Sequence, residues 1–222
     1  MRERPRRLAS GPCKAGLPMD DDALKDAKAR LRRATLAQRD SLDPMVRIER
    51  SLGLVDAMHQ CEPLTDLARD GRVIAGFHPI RSEIDPRPLM VALADMGAVL
   101  ALPAVVSETV IEFRELVRTV PLEAGPFATR QPPASAMVLR PAAILAPLAA
   151  FDANGGRLGY GGGFYDRAIA RSEADGARPF VLGVAFEAQR VHCVPVGMHD
   201  RPLDGVLTER GFQAPVDRSR EM

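Results

Sequence analysis

An α/β fold, with a mostly parallel sheet and helices on both of its faces, is what this sequence predicts. Three observations carry that expectation. Short apolar runs of strand length recur along the chain: "RVIAGFHPI" (72–80), "AVLALPAV" (98–105), "AAILAPLAAF" (142–151) and "PFVLGVAFE" (179–187). They are apolar throughout rather than alternating, as strands buried on both faces are. Segments with helical periodicity lie between them, the strand–helix–strand order of a parallel sheet. Finally, one glycine-dense stretch, "GGRLGYGGGFYDR" (155–167), follows a strand and opens a helix, where α/β sheets place ligands.

Residues 20–42, "DDDALKDAKARLRRATLAQRDSL", read as a helix with Leu24, Ala27, Leu31, Ala34 and Leu36 along one face. The leading aspartates suit a helix N-terminus. A second helix starts at Asp43-Pro44, with Asp as cap and Pro in the first turn. It runs to Gln60 with Val46, Leu52, Leu54, Val55 and Met58 inward. A strand over 72–80 follows, then a helix capped at Asp85-Pro86 that carries Leu89, Val91, Leu93 and Met96 and stops at Gly97. Residues 98–105 form the next buried strand and "VIEFREL" (110–116) an alternating, more exposed one. The Pro- and Gly-rich residues 120–135 read as a loop, and 142–151 as a strand leading to the glycines. A helix over 165–174, a strand over 179–187 and a short strand over 204–209 complete the chain. The sum is a three-layer, Rossmann-like architecture with an N-terminal helical pair. It predicts one domain over 19–213, a disordered tail over 1–18 and a short tail over 214–222. Met19 before "DDDALK" would make a natural start.

Composition narrows the function. The 222 residues are 46% apolar and 27% charged, with a net charge of +1, ordinary for a globular protein. Residues 1–19 hold five Lys/Arg against one Glu, so the rest carries −3. Such a body offers no large phosphate-backbone footprint, so no nucleic-acid partner is expected. Cys13, Cys61 and Cys193 show no CxxC or Cys/His spacing, so neither a zinc site nor a disulfide framework is expected. A cytoplasmic protein that is monomeric and has no membrane partner fits these features.

Six of the chain's 18 glycines fall within residues 155–163. Glycine lets backbone N–H groups approach phosphate oxygens without a side chain between them, and the following helix adds its positive N-terminal end. The stretch is not a P-loop, since no GxxxxGK[ST] occurs. Gly159, Gly161 and Gly163 also miss the dinucleotide fingerprint, with Phe164 where a glycine is wanted. A plain flexible turn is the bland alternative. Against it stands the density of Arg157, Tyr160, Phe164, Tyr165, Asp166 and Arg167.

"FDANGGRLGYGGGFYDR" (151–167) resembles the signature of the 5-formyltetrahydrofolate cyclo-ligase family, F-D-x-x-G-x-R-L-G-x-G-x-G-Y-Y-D-R, departing only at Phe164. "KARLR" (28–32), "HPIRSEID" (78–85) and "VPVGMHDRPLDGVLTE" (194–209) resemble three further stretches of that family, in the same order. The resemblance implies an ATP- and Mg²⁺-dependent closure of 5-formyltetrahydrofolate to 5,10-methenyltetrahydrofolate, with folate and ATP as small-molecule partners. By resemblance, Lys28, Arg32, Arg157, Gly159, Gly161, Gly162, Gly163 and Tyr165 bind ATP. Asp166 and Asp200 hold Mg²⁺, and His78, Glu83, Tyr160 and Phe164 line the folate site. Glu83 and Tyr165 are the implied catalytic residues, and His199, next to Asp200 in the chain, is no more than a partner of that aspartate.

Read without the resemblance, several of these residues keep ordinary explanations. Lys28 and Arg32 are two charges on one face of a basic helix. Asp166 is a first-turn helix aspartate, Asp200 a turn residue, Glu83 a loop carboxylate and His78 a structural histidine. Two departures bear on substrate. Phe164 lacks the hydroxyl of the family's Tyr, and Gln131 in "GPFATRQPP" (125–133) replaces the Glu that many relatives carry before Pro. Two rival readings stand beside the cyclo-ligase: an ATP-binding paralogue acting on another substrate, and a nucleotide-binding module without catalysis. The retained Glu83 and Asp200 argue against the module.

Overall fold

The computed structural model describes residues 20–216. The expected tail over 1–18 and most of that over 214–222 lie outside the described residues. The N-terminal half runs α1 (Asp21–Asp40), α2 (Pro44–Ala57), α3 (Glu62–Arg69), β1 (Val73–Ala75), α4 (Arg87–Asp95), β2 (Val99–Val105) and β3 (Ile111–Glu115). A small hairpin, β4 (Glu123–Ala124) and β5 (Arg130–Gln131), precedes β6 (Ala143–Pro147). A second hairpin pairs β7 (Ala150–Phe151) with β8 (Arg157–Leu158). The chain ends through α5 (Phe164–Ala174), β9 (Phe180–Val184), β10 (Gly205–Thr208) and β11 (Gly211–Gln213).

Seven strands form one sheet in the order β11-β10-β9-β6-β1-β2-β3. The five central strands, from β10 to β2, run parallel, and β3 and β11 join antiparallel at the two edges. The predicted α/β class is therefore the observed one. Side chains of alternate residues go to opposite faces. Ile74, Leu102, Leu145, Leu182 and Leu207 meet Leu54, Leu64, Leu89 and Leu93 of α2, α3 and α4 on one face. Ala75, Ala101, Ile144, Ala146, Val181 and Val206 meet Ala168 and Ile169 of α5 on the other.

Local chemistry sets the ends of the helices. The Asp20 carboxylate accepts the Ala23 amide at 2.7 Å to start α1, and Asp43 accepts the Met45 amide at 2.8 Å to start α2. Gly97, at φ +118°, ends α4.

Several expectations need correction. Of the expected inward residues of α1, Leu24, Ala27, Leu31 and Leu36 are at least half-buried and Ala34 is exposed, and Lys28, Arg32, Thr35 and Arg39, not expected there, also turn inward. Leu52 of α2 and Val91 of α4 also point outward. The expected N-terminal helical pair is α1 and α2, whose main packing partners differ. Helix α2 packs on α4 and the β10–β11 edge, and α1 on β7 and the turn over Glu187–Gln189. The sequence reading omits α3, although Pro63 in its first turn and buried Leu64, Thr65 and Ala68 mark it. The apolar run 142–151 is not one strand: β6 leaves the sheet after Pro147, and the remainder forms the β7–β8 hairpin. Cys61 is a buried free thiol. Among the described residues no helix is long and apolar enough to cross a membrane.

Candidate active site

The sheet order places a crevice where sequence reasoning expects a ligand. From β1 the chain moves outward through β2 to β3, then returns to β6 on the opposite side of β1 and continues to β9, β10 and β11. The strand order reverses between β1 and β6, and ligands in open α/β sheets bind beyond the carboxyl ends at such a point. Beyond β1 lies the loop carrying His78 and Glu83, and beyond β6 lie the β7–β8 hairpin and the glycine stretch.

The hairpin is tied by one carboxylate. Asp152, buried, accepts the amides of Asn154 at 2.8 Å, Gly156 at 3.0 Å and Val194 at 2.8 Å. That anchorage sets Arg157 on β8, with its side chain only 6% exposed. The Arg157 Nη2 donates to Asp166 Oδ1 at 2.5 Å, while its Nη1 is buried with no hydrogen-bond partner among the described residues. Asp166, in the first turn of α5, also accepts the Arg201 amide on Oδ1 at 3.0 Å. The next residue back, Asp200, takes Lys28 Nζ at 2.5 Å and the Gly197 amide at 2.6 Å, both on Oδ2. Each aspartate thus uses one oxygen twice and leaves the other for a further partner.

Glycine conformation shapes the loop between them. Gly161 at φ +99° and Gly163 at φ +64°, which caps α5, hold left-handed conformations that L side chains rarely adopt. A Cβ on Gly159 would meet nothing within 4 Å, whereas one on Gly162 would strike the Phe164 ring. The loop is held from α1: Arg32 Nε donates to the Gly159 carbonyl at 2.7 Å, and Arg39 Nη1 to the Tyr160 hydroxyl at 2.6 Å.

The second half of the site centres on Glu83. Its Oε2 accepts the Ile80 amide at 2.8 Å, and the Tyr160 phenol lies close enough to act on its carboxylate electrostatically. Burial raises the Glu83 pKa above the ordinary value, against the opposing pull of the Tyr160 hydroxyl, the Ile80 amide and the charges of Arg39 and Arg81. Burial, with the Glu83 charge nearby, also raises the phenols of Tyr160 and Tyr165. Phe164 packs edge-on to Phe127, ring centroids 6.1 Å apart, and under the Arg167 guanidinium. His78 stands apart from this network: its Nδ1 lies 3.2 Å from the Pro79 carbonyl, and burial, then the Arg87 charge, lowers its pKa. His199 is exposed.

A model of the 5-formyltetrahydrofolate cyclo-ligase family matches residues 24–209. The chain belongs to that family. It is similar to the 5-formyltetrahydrofolate cyclo-ligase of Mycolicibacterium smegmatis, 29% identical over 198 residues that cover 85% of this chain and 97% of the relative. The Escherichia coli cyclo-ligase is 43% identical over 65 residues, 29% of this chain and 35% of the relative. Among solved structures, the Aquifex aeolicus 5,10-methenyltetrahydrofolate synthetase superposes with a TM-score of 0.71 at 26% identity, covering 86% of this chain and 93% of that one. The Mycoplasma pneumoniae synthetase, at 20% identity and a TM-score of 0.63, shares the fold over 82% of this chain and 98% of its own.

Within this cyclo-ligase family member, the sequence reading overlooks Arg39, Ser82, Asp152 and Phe127. A signal for Arg39 existed. Lys28, Arg32, Thr35 and Arg39 recur at spacings of four, three and four, a helical stripe of polar residues. Apolar periodicity alone passes over it. Asp152 was in view within the signature, but a carboxylate that folds its own hairpin cannot be told from a ligand by sequence.

Proposed function

We propose that the protein catalyses ATP- and Mg²⁺-dependent closure of 5-formyltetrahydrofolate to 5,10-methenyltetrahydrofolate, with release of ADP and phosphate. One observation carries the reading for this chain: a buried guanidinium, Arg157, whose Nη1 has no hydrogen-bond partner among the described residues, beside a loop of left-handed glycines at the sheet's reversal point. A buried donor without an acceptor is costly, and a polyphosphate oxygen satisfies it.

The reaction exchanges one bond for another. The formyl oxygen takes the terminal phosphoryl group, the folate's neighbouring amine nitrogen attacks the formyl carbon, and the carbon–oxygen bond breaks as phosphate leaves. The amine's proton is lost in closing the ring. Arg157 and the amides of Gly159, Gly161, Gly162 and Gly163 hold the polyphosphate, with Lys28 reaching it from α1. Arg32 fixes the loop through the Gly159 carbonyl. Tyr165, on the first turn of α5, sits among the charges of Arg157 and Glu83. Glu83 accepts the amine proton, and its raised pKa makes it a stronger base than an ordinary carboxylate. His78, Tyr160 and Phe164 line the folate side.

The donor set suits Mg²⁺. Asp166 and Asp200 each keep an oxygen outside their present hydrogen bonds, and an ion that retains waters and binds phosphates needs few carboxylates. When bound there, it neutralises developing phosphate charge. Among the described residues no group of three or more His, Cys, Asp and Glu side chains could hold a metal alone, so the proposed ion would need phosphate oxygens or waters to complete its shell.

The test is to mix the protein with 5-formyltetrahydrofolate and Mg-ATP and follow the near-ultraviolet absorbance of the methenyl product. The expected result is a rise that requires ATP and Mg²⁺ and is lost in Asp166→Ala. Folded protein that binds ATP yet yields no rise would overturn the folate assignment.

A further inference from the structure

We propose that Arg39 is a positioning residue of the cyclisation site, orienting Tyr160 and the Glu83 loop through a buried two-armed guanidinium. The proposal rests on the reading above that Glu83 and Tyr160 act on the folate side. Arginine is almost never fully buried unless paired; Arg39, in the last turn of α1, is 1% exposed and has Asp40 as its ionic partner, Nε to Oδ1 3.9 Å. Its Nε donates to Ser82 Oγ at 3.0 Å and its Nη1 to the Tyr160 hydroxyl at 2.6 Å. The Ser82 hydroxyl donates onward to Asp40 Oδ1. The Tyr160 hydroxyl, accepting from Arg39, stands beside the Glu83 carboxylate, and the two influence each other's ionisation. One chain of contacts, Asp40–Ser82–Arg39–Tyr160, therefore ties α1, the loop after β1 and the glycine loop together, with Glu83 next to Ser82 in the chain.

Simple space-filling does not account for this choice. Taking a guanidinium out of water is expensive, and apolar packing of similar volume commonly does as well or better for stability. A planar fork does something apolar packing cannot: it fixes two acceptors at a set angle and separation. Here the acceptors are hydroxyls on the two loops that must meet across the β1–β6 crevice. Ser82 directly precedes Glu83, so the Ser82 arm sets where the carboxylate stands. The Tyr160 arm sets the phenol that stands beside it.

Charge adds a second effect. The groups around Glu83 are Arg39 from α1, Arg81 in its own loop, Tyr160 from the glycine loop and Tyr165 from α5. Burial favours the protonated carboxyl, and Arg39 and Arg81 oppose it. Loss of the Arg39 charge therefore moves Glu83 ionisation to higher pH.

Three variants test the idea: Arg39→Met, Arg39→Lys and Ser82→Ala. Arg39→Met should lower kcat/KM for 5-formyltetrahydrofolate by about tenfold or more and move the acid limb of its pH profile upward. Its Mg-ATP dissociation constant should stay within about twofold of wild type, since the fork touches no proposed phosphate ligand. Arg39→Lys keeps the charge but reaches one hydroxyl at a time, so its kcat/KM should fall while the acid limb stays in place. Ser82→Ala removes one acceptor and should give a smaller loss. The chain has two tyrosines and no tryptophan, so fluorotyrosine labelling gives two fluorine NMR resonances. Arg39→Met should shift that of Tyr160 and leave that of Tyr165. If Arg39→Met does not fold, Arg39→Lys and Ser82→Ala carry the same measurements. Folded variants with wild-type kcat/KM, an unmoved acid limb and an unmoved Tyr160 resonance would overturn the proposal. Wild-type protein that forms no methenyl product would instead refute the proposed reaction, and the Tyr160 resonance would still decide whether Arg39 positions that ring.

Discussion

Replacing Arg157 by Met should separate stability from nucleotide binding. In the folded protein Arg157 makes one ion pair, Nη2 to Asp166 at 2.5 Å, and buries Nη1 without a hydrogen-bond partner among the described residues. Breaking a fully buried ion pair is very costly because the surviving charge is stranded. That case does not apply here, since the Asp166 side chain is 27% exposed and keeps the Arg201 amide at 3.0 Å. Loss of the pair is offset by removing a buried unsatisfied donor, a relief of about 1–3 kcal/mol. The net change in folding free energy should lie within about 1 kcal/mol of zero. Nucleotide binding has no such compensation. A charge-assisted hydrogen bond contributes about 1.5–3 kcal/mol, so losing one weakens Mg-ATP about ten- to hundredfold. Urea unfolding and calorimetric titration with a non-hydrolysable ATP analogue and Mg²⁺ read the two quantities on one sample. A variant that loses several kcal/mol of stability while retaining nucleotide affinity would show that Arg157 is a structural pair, and the phosphate assignment would fall.

Three further outcomes follow from the geometry. Glu83→Gln should stabilise the fold increasingly as pH rises from the ordinary glutamate value of 4.5. Burial raises the folded pKa, so the stability held by the protonated carboxyl is lost as pH rises through the folded value. Urea midpoints at several pH values check this, and an advantage that shrinks with pH would contradict it. Asp152→Ala strands three backbone amides and should cost about 3 kcal/mol or more by chemical denaturation; a loss below about 1 kcal/mol would mean the hairpin closes without its carboxylate. Gly163→Ala should cost about 1–2 kcal/mol, because φ is +64°, whereas Gly159→Ala, with open space at its Cβ, should spare stability and weaken Mg-ATP. Parallel melts and titrations of the two variants decide, and the reverse ranking would sink the phosphate-cradle reading of this loop.

Much of the architecture was legible because burial on both faces leaves a plain trace. Ile74, Leu145 and Leu182 sit in uninterrupted apolar runs, and each run became a central parallel strand. Helix starts were legible where one side chain does the capping, as at Asp20 and Asp43. The failures share a cause. Apolar periodicity assumes that the inward face of a helix is greasy, and α1 breaks the rule: its inward stripe holds Lys28, Arg32 and Arg39, which meet Asp200, the Gly159 carbonyl, Ser82 and Tyr160. The run 142–151 looked like one strand because composition carries no record that the chain leaves the sheet after Pro147. Of the site residues, the contacts group Lys28 with Asp200, Arg157 with Asp166 and Glu83 with Tyr160. His78 joins none of these groups, and the tertiary contacts of Arg39 could not be read from spacing at all.

The pairing of opposite charges explains why so charged a site leaves little mark on overall charge. Lys28 is matched by Asp200 and Arg157 by Asp166, so the crevice is nearly neutral on its own. Neither pair could be released singly at low cost. A polyphosphate that drew Lys28 and Arg157 away would leave two carboxylates facing its own negative charge, and a cation that drew off the carboxylates would strand Arg157 in a buried position. A metal–polyphosphate complex offers both partners at once: oxygens for the cations, and a positive centre for the aspartates. The same four side chains that neutralise one another in the free protein are thus matched by a ligand of mixed charge. On the proposed reading, this internal compensation would let a chain whose residues 20–222 carry −3 hold an anionic nucleotide without a basic surface.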